Sequence, residues 1–246
     1  MHYVFIPGAW HGGWSWHPVG HRVRAAGHGA TALTMPGLSL GDDPAGLRLS
    51  DAVDPIVTAV QRRDLRDVVL VGHSWGGIPI TGAAHRLGDR LAAVAYFSAF
   101  VPRPGESMAA AMGPMEGFLR DTIAASPDGT IGLDFATFAQ GLMPGEDEPL
   151  QRLVFDQLMP QPGGYMLDAQ DLPGVETLGV PITYVLAEDD VSLAAPGAEL
   201  AARVGVEPVL VPGGHEALLT RPDEVAKAML ADRAGWGAPP DRPATD

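Results

Sequence analysis

The segment Val71-Gly72-His73-Ser74-Trp75-Gly76-Gly77 has the residue types of an activated serine nucleophile. Ser74 stands in a G-x-S-x-G pattern, with the β-branched run Val68-Val69-Leu70-Val71 before it and a helical pattern, Ile78–Leu87, behind it. That context is what the chemistry needs. A sharp strand-to-helix turn lifts the hydroxyl above the sheet, and small residues two before and two after let the backbone bend that tightly. The helix that follows aims its N-terminal N–H groups and positive dipole end at an oxyanion forming there. His73 adjoins the serine, but neighbouring side chains on such a turn diverge, so it reads as a packing or positioning residue.

A serine hydroxyl is a weak nucleophile at neutral pH and requires a base oriented by a third group. In a strand–turn–helix arrangement of this kind the chain order is serine, acid, histidine. Of the eight histidines only His215 lies late enough, in the loop Pro212-Gly213-Gly214-His215 behind the apolar run Pro208–Val211. The acid is expected behind the strand pattern Thr183–Leu186, where Glu188-Asp189-Asp190 offers three adjacent carboxylates that spacing alone does not separate. A second oxyanion donor is expected from the glycine-rich loop Pro7-Gly8-Ala9-Trp10-His11-Gly12-Gly13-Trp14. The backbone N–H groups of Ala9 and Trp75 are the two expected donors. Trp10 suits a pocket wall, while Trp14 and Trp16 suit pocket or core equally.

The elements that must position these residues follow from hydrophobic periodicity. Strand patterns at Tyr3–Ile6, Ala30–Thr34, Asp67–Val71, Ala92–Phe97, Ile182–Leu186 and Pro208–Val211 alternate with helical patterns at His17–Ala26, Asp51–Arg63, Ile78–Leu87, Ala198–Val204 and Asp223–Leu230. Within Asp51–Arg63 the residues Val53, Ile56, Val57 and Val60 share one face. Such alternation predicts an α/β fold, a mostly parallel sheet with helices on both faces. The rhythm breaks between Val101 and Val180, a proline-punctuated stretch holding six of the nine methionines. It reads as an insertion over the active edge of the sheet, with helical pieces at Met115–Ala124 and Leu150–Leu158. The organisation expected is a core of residues 1–100 and 181–234, a cap of 101–180, and a frayed tail over 235–246.

Composition excludes several alternatives. The 246 residues contain no cysteine, which removes disulfides, cysteine nucleophiles and thiolate metal sites. A net charge of −14 repels phosphate backbones and argues against nucleic acid as a partner. Lys227 is the only lysine, so Schiff-base chemistry has no residue near the motifs. Neither a cationic leader nor an 18-residue apolar run occurs, so the expectation is a cytoplasmic protein without a membrane span, monomeric or homodimeric.

These residues together resemble an α/β-hydrolase, and within it the methylesterase/hydroxynitrile-lyase branch typified by plant salicylate-binding esterases. The resemblance rests on FIPGAWHGGWSW (5–16), AAGHGAT (25–31), VLVGHSWGG (69–77), AAVAYFSAFVP (92–102), YVLAED (184–189) and GGHEALLTRP (213–222), and leaves the insertion unmatched. It implies an α/β-hydrolase fold of about six strands with a helical cap insertion. It implies Ser74 as nucleophile, His215 as base and Asp189 as the acid, the last because the family places its acid at the Asp of a Thr-Glu-Asp triplet and this chain reads Ala187-Glu188-Asp189. Two departures stand out. Pro7-Gly8 replaces the family's His-Gly. Cyanohydrin-cleaving members carry threonine and lysine where this chain has Gly8 and Glu216, and a carboxylate opposes the holding of cyanide.

The reading that results is a serine hydrolase of a small carboxylic ester, working through an acyl-enzyme with no metal or cofactor. Its expected substrate pocket comprises Gly8, Trp10, His11, Met108, Met112, Met143 and Glu216. The competing readings are a specialised natural-product hydrolase on the same triad (lactone, thioester or C–C cleavage, cyclisation or elimination) and a non-catalytic ligand receptor, since a fold does not fix a function.

Overall fold

A computed structural model describes residues 1–231. The expected tail over 235–246 lies outside the described residues, as do the last three residues of the expected core.

The chain runs β1 (His2–Ile6), α1 (His17–Ala25), β2 (Gly29–Ala32), α2 (Leu49–Arg62), β3 (Val68–His73), α3 (Gly77–Leu87) and β4 (Leu91–Phe97). The irregular stretch then carries α4 (Met108–Ala111), α5 (Glu116–Ala125), β5 (Thr130–Ile131), α6 (Phe135–Gly141), α7 (Glu148–Phe155), β6 (Gln161–Pro162) and α8 (Gly163–Leu167). The α/β rhythm resumes with β7 (Ile182–Ala187), α9 (Gly197–Ala202), β8 (Val209–Val211), α10 (Ala217–Thr220) and α11 (Pro222–Ala231). Each strand and helix expected in the core is present, with ends displaced by one to a few residues. α2 begins at Leu49, ahead of the pattern, because the Asp51 carboxylate accepts the Arg48 N–H at 2.8 Å and closes the first turn.

Six strands form one parallel sheet in the order β2-β1-β3-β4-β7-β8. The chain leaves β1 toward β2, then returns past β1 to β3. The strand order therefore reverses between β1 and β3, where Ile6 lies opposite Gly72. A switch point of this kind opens a crevice beyond the carboxyl ends of the two strands. The glycine-rich loop leaves β1 into that crevice, and Ser74 follows β3 into it.

Both faces of the sheet are covered, which explains why its strands are continuously apolar. Val68 and Leu70 of β3 join Val4, Ile6, Val94, Tyr96 and Tyr184 in one core layer with the apolar stripe of α2. Val69 and Val71 point the other way, into a layer with Phe5, Trp16, Phe97, Val19 of α1 and Val225 of α11. The stretch between β4 and β7 is divided. Met108, Ala109, Tyr165 and Met166 belong to the first layer, whereas Phe138, Met143 and Val154 form a small core of their own beneath Trp14 and Leu219.

Candidate active site

Ser74 has a positive φ of +51°, the strained geometry that presents its side chain at the top of β3. Close packing enforces the flanking glycines. A β-carbon on Gly72 would lie 2.7 Å from the Gly76 carbonyl, and one on Gly76 would lie 2.6 Å from the Pro7 carbonyl oxygen. The turn is also tied to β4: Ser74 N–H donates to the Ser98 carbonyl at 3.2 Å, and Phe100 N–H to the Ser74 carbonyl at 3.0 Å. Ser74 remains 8% exposed among neighbours that are almost fully buried.

His215 sits in the loop behind β8, just past Gly213 with its φ of +107°. Its Nδ1 lies 2.8 Å from Oδ2 of Asp190, not of Asp189. The carboxylate on the ring is therefore the sequence neighbour of the one the family triplet implies. The physical cause is the turn after β7. Asp190 N–H donates to the Ala187 carbonyl and folds the chain back, so that Glu188 and Asp189 face solvent while the Asp190 carboxylate is buried. Ser192 N–H donates to Asp190 Oδ1 at 2.8 Å, and Ser98 adds a further side-chain hydrogen bond. Burial alone would raise the Asp190 carboxyl; the adjacent His215 and these hydrogen bonds hold it below the ordinary carboxylate range. Burial likewise opposes charge on His215, yet the charge and hydrogen bond of Asp190, followed by the Glu216 carboxylate, raise the imidazole above its usual value. With Nδ1 engaged by Asp190, Nε2 is the edge of the ring left for proton transfer.

His73 is fully buried. Its Nε2 donates to the His215 carbonyl at 3.1 Å, and its ring centroid lies 4.6 Å from that of His215. Burial first, then the nearby His215 and His11, push its pKa well down, so it is a neutral strut under the histidine loop.

The glycine-rich loop is anchored from outside the sheet. Trp10 has a φ of +67°, and three hydrogen bonds hold it there. Its N–H donates to Gln161 Oε1 at 2.8 Å, its indole N–H to the Ile131 carbonyl at 2.9 Å, and its carbonyl accepts the Met159 N–H at 2.9 Å. Ala9 and Gly8 precede it, and a β-carbon on Gly8 would lie 3.0 Å from Ser74 Cβ and 3.1 Å from His73 Nδ1. The loop thus passes directly over the serine. Trp75 is fully buried, stacked on Tyr165 at 5.1 Å, with its indole N–H on the Tyr165 carbonyl.

The expected pocket residues separate. Gly8 and Trp10 are in the loop over Ser74. His11 and Glu216 are buried together, His11 Nε2 lying 3.5 Å from Glu216 Oε1. Met108 packs in the main core beside the Trp75 layer, with Met112 against it. Met143 is a core residue of the small α6–α7 cluster, because its neighbours there are Phe138 and Val154. Trp16 is core as well, its indole N–H on the Ile6 carbonyl at 3.0 Å, while Trp14 is half-buried against His11. Sequence reasoning overlooked Gln161, Ser98 and Tyr165. Only the bracketing of Gln161 by Pro160 and Pro162 sets any of them apart, and that says nothing about a partner 151 residues away.

The parallel sheet, its switch point and the serine turn define an α/β-hydrolase-type architecture. The chain belongs to the alpha/beta hydrolase family, whose family model matches residues 3–228. Among curated relatives, Methylesterase 18 of Arabidopsis thaliana is 28% identical over 211 residues, covering 77% of this chain and 79% of that protein. The carbendazim hydrolyzing esterase of Nocardioides sp. (strain SG-4G) is 36% identical over 110 residues, 44% of this chain and 46% of that one. The chain thus spans about half the length of several curated relatives it matches. Among solved structures, an extracellular alpha/beta-hydrolase from a Paenibacillus species superposes with a TM-score of 0.88 at 23% identity, over 94% of this chain and 98% of that one. The similarity to plant methylesterases read from the motifs is therefore present across most of the chain. No described helix is long and apolar enough to cross a membrane.

Proposed function

We propose that the protein is a serine hydrolase of small carboxylic esters, with Ser74 as nucleophile, His215 as base and Asp190 as the orienting acid. The observation that carries this reading is the buried 2.8 Å hydrogen bond between His215 Nδ1 and Asp190, placed beside a serine in the strained turn after β3. Relatives named as esterases and methylesterases support it.

In this mechanism His215 Nε2 takes the Ser74 proton as Oγ attacks the ester carbonyl. Asp190 fixes the tautomer and stabilises the imidazolium. The N–H groups of Ala9 and Trp75 are the oxyanion donors. His215 then protonates the departing alcohol, and the same base activates water to release the acid. His73 acts as a positioning residue, since its Nε2–H holds the His215 carbonyl. The single lysine, Lys227, lies in α11, so no lysine adjoins the base, and Glu216 follows it instead.

A fluorophosphonate probe tests the reading. Covalent labelling confined to Ser74, with turnover of short p-nitrophenyl esters that Ser74→Ala abolishes, is the expected result. An unlabelled but folded protein would overturn it. Labelling with no ester turnover would point instead to a specialised reaction on the same triad.

A further inference from the structure

Around His215 lies a group of buried polar atoms without hydrogen-bond partners. His73 uses its Nε2–H on the His215 carbonyl, so its Nδ1 is unprotonated, and it has no hydrogen-bond partner. His11 is bound through Nδ1 to the Ala9 carbonyl, and its Nε2 has no hydrogen-bond partner. Both carboxylate oxygens of Glu216 lack hydrogen-bond donors, and the residue is 2% exposed. One ligand atom each from His73, His215 and Glu216 lies within 4.8 Å of the other two. Burying both oxygens of the Glu216 carboxylate and the Nδ1 lone pair of His73 without hydrogen-bond partners is costly, and a cation among them offsets that cost. His11 Nε2 lies 3.5 Å from Glu216 Oε1, beyond good hydrogen-bond distance, and does not reach His73 Nδ1 or the second Glu216 oxygen, which have no partner.

We propose that this cluster is a binding site for a divalent transition-metal ion of the zinc type, held by His73 Nδ1, His215 Nε2 and a Glu216 carboxylate oxygen. Two imidazoles and one carboxylate form a donor set suited to zinc, and the missing thiolates do not matter to it. Metal–ligand bonds of about 2.0–2.2 Å put ligand atoms roughly 3.3 Å apart, so the three side chains draw together by up to about 1.5 Å on binding. Gly8 leaves room: a β-carbon there would press on His73 Nδ1 at 3.1 Å. The consequence rests on the hydrolase reading. A metal on His215 Nε2 removes the base from Ser74, and the ion is then a reversible inhibitor rather than a catalyst.

The test uses the full chain carrying Ser74→Ala, stripped with a chelator, so that binding is read without activity. Titration with Co²⁺ should give a saturable visible d–d band at one equivalent, displaced by Zn²⁺. Glu216→Gln in that background should weaken the band by about tenfold or more, since even outer-shell losses cost that much. His73→Asn should do likewise, while substitution of the exposed His17 and His21 leaves the affinity unchanged. Circular dichroism checks that each variant is folded, and the isosteric Glu216→Gln keeps the test decisive if His73→Asn does not fold. Absence of a saturable band, or an affinity indifferent to Glu216→Gln, overturns the proposal. In the unmodified protein, Zn²⁺ should suppress ester hydrolysis over the same concentration range, with recovery on chelation. Cobalt binding in a protein that hydrolyses no ester would sink the hydrolase reading and leave the metal site standing.

Discussion

At the scale of single residues the decisive choice is between two adjacent aspartates. Asp190 is buried against His215, and Asp189 faces solvent. Asp190→Asn should therefore lower kcat for ester hydrolysis by about 10⁴, the loss expected when the imidazole is held in the wrong tautomer. Asp189→Asn, an exposed change within about 0.5 kcal/mol in its effects, should alter kcat no more than about twofold. Steady-state kinetics on one p-nitrophenyl ester compares the two. The pH profile gives an independent check. As the proposed base His215 must be neutral, and Asp190 and Glu216 raise its pKa against the opposing effect of burial. The acid limb of kcat/KM should accordingly lie above the ordinary imidazole value of about 6.5. Removing the Asp190 charge lets burial dominate, so residual activity in Asp190→Asn should have its acid limb shifted to lower pH. A limb that stays in place would show that Asp190 is not what holds the proton on His215. Asp190 was within reach of the sequence as one of three carboxylates. It could not be singled out, because the outcome depends on how one turn meets a loop 25 residues later.

At the scale of elements, the part of the molecule that reads worst from sequence holds the part that reads best. The serine turn is legible because local constraints write it: glycines where backbones touch, an apolar run for a doubly covered strand, a helix behind. The stretch between β4 and β7 has no such periodicity, yet β5, β6 and the preceding Met159 clamp Trp10 through three hydrogen bonds. That clamp fixes a residue at φ +67° next to the loop's expected oxyanion donor. Gln161→Leu keeps the volume but loses the acceptor for the Trp10 N–H. It should lower kcat by roughly tenfold to a hundredfold with little change in KM, since a displacement of about 1 Å at a catalytic group costs that much. Gln161→Glu retains an acceptor and should recover most of the rate. A purely structural role would lower thermal stability in both variants without this contrast in kcat.

For the whole molecule, stability rests on two apolar layers, one on each face of the sheet. Ile56 on the buried stripe of α2 tests the first layer. Ile56→Ala should cost about 2–5 kcal/mol, seen in urea unfolding as a lower midpoint at unchanged slope. A much smaller loss would mean that α2 packs less tightly than its full burial indicates. Among the described residues most ion pairs have at least one exposed partner, so those pairs add little beside the layers. What the sequence by itself determined were the features set by neighbours in the chain: the alternation that makes a parallel sheet, the turn that strains Ser74, the histidine loop behind the last strand. Such features follow from periodicity and backbone sterics over a few residues. Only the tertiary structure decided that Asp190 meets His215, that Gln161 holds Trp10, and that His73, His215 and Glu216 come together in one buried cluster. Each of these joins residues far apart in the chain, and each depends on which side of a turn faces inward once the two layers have packed.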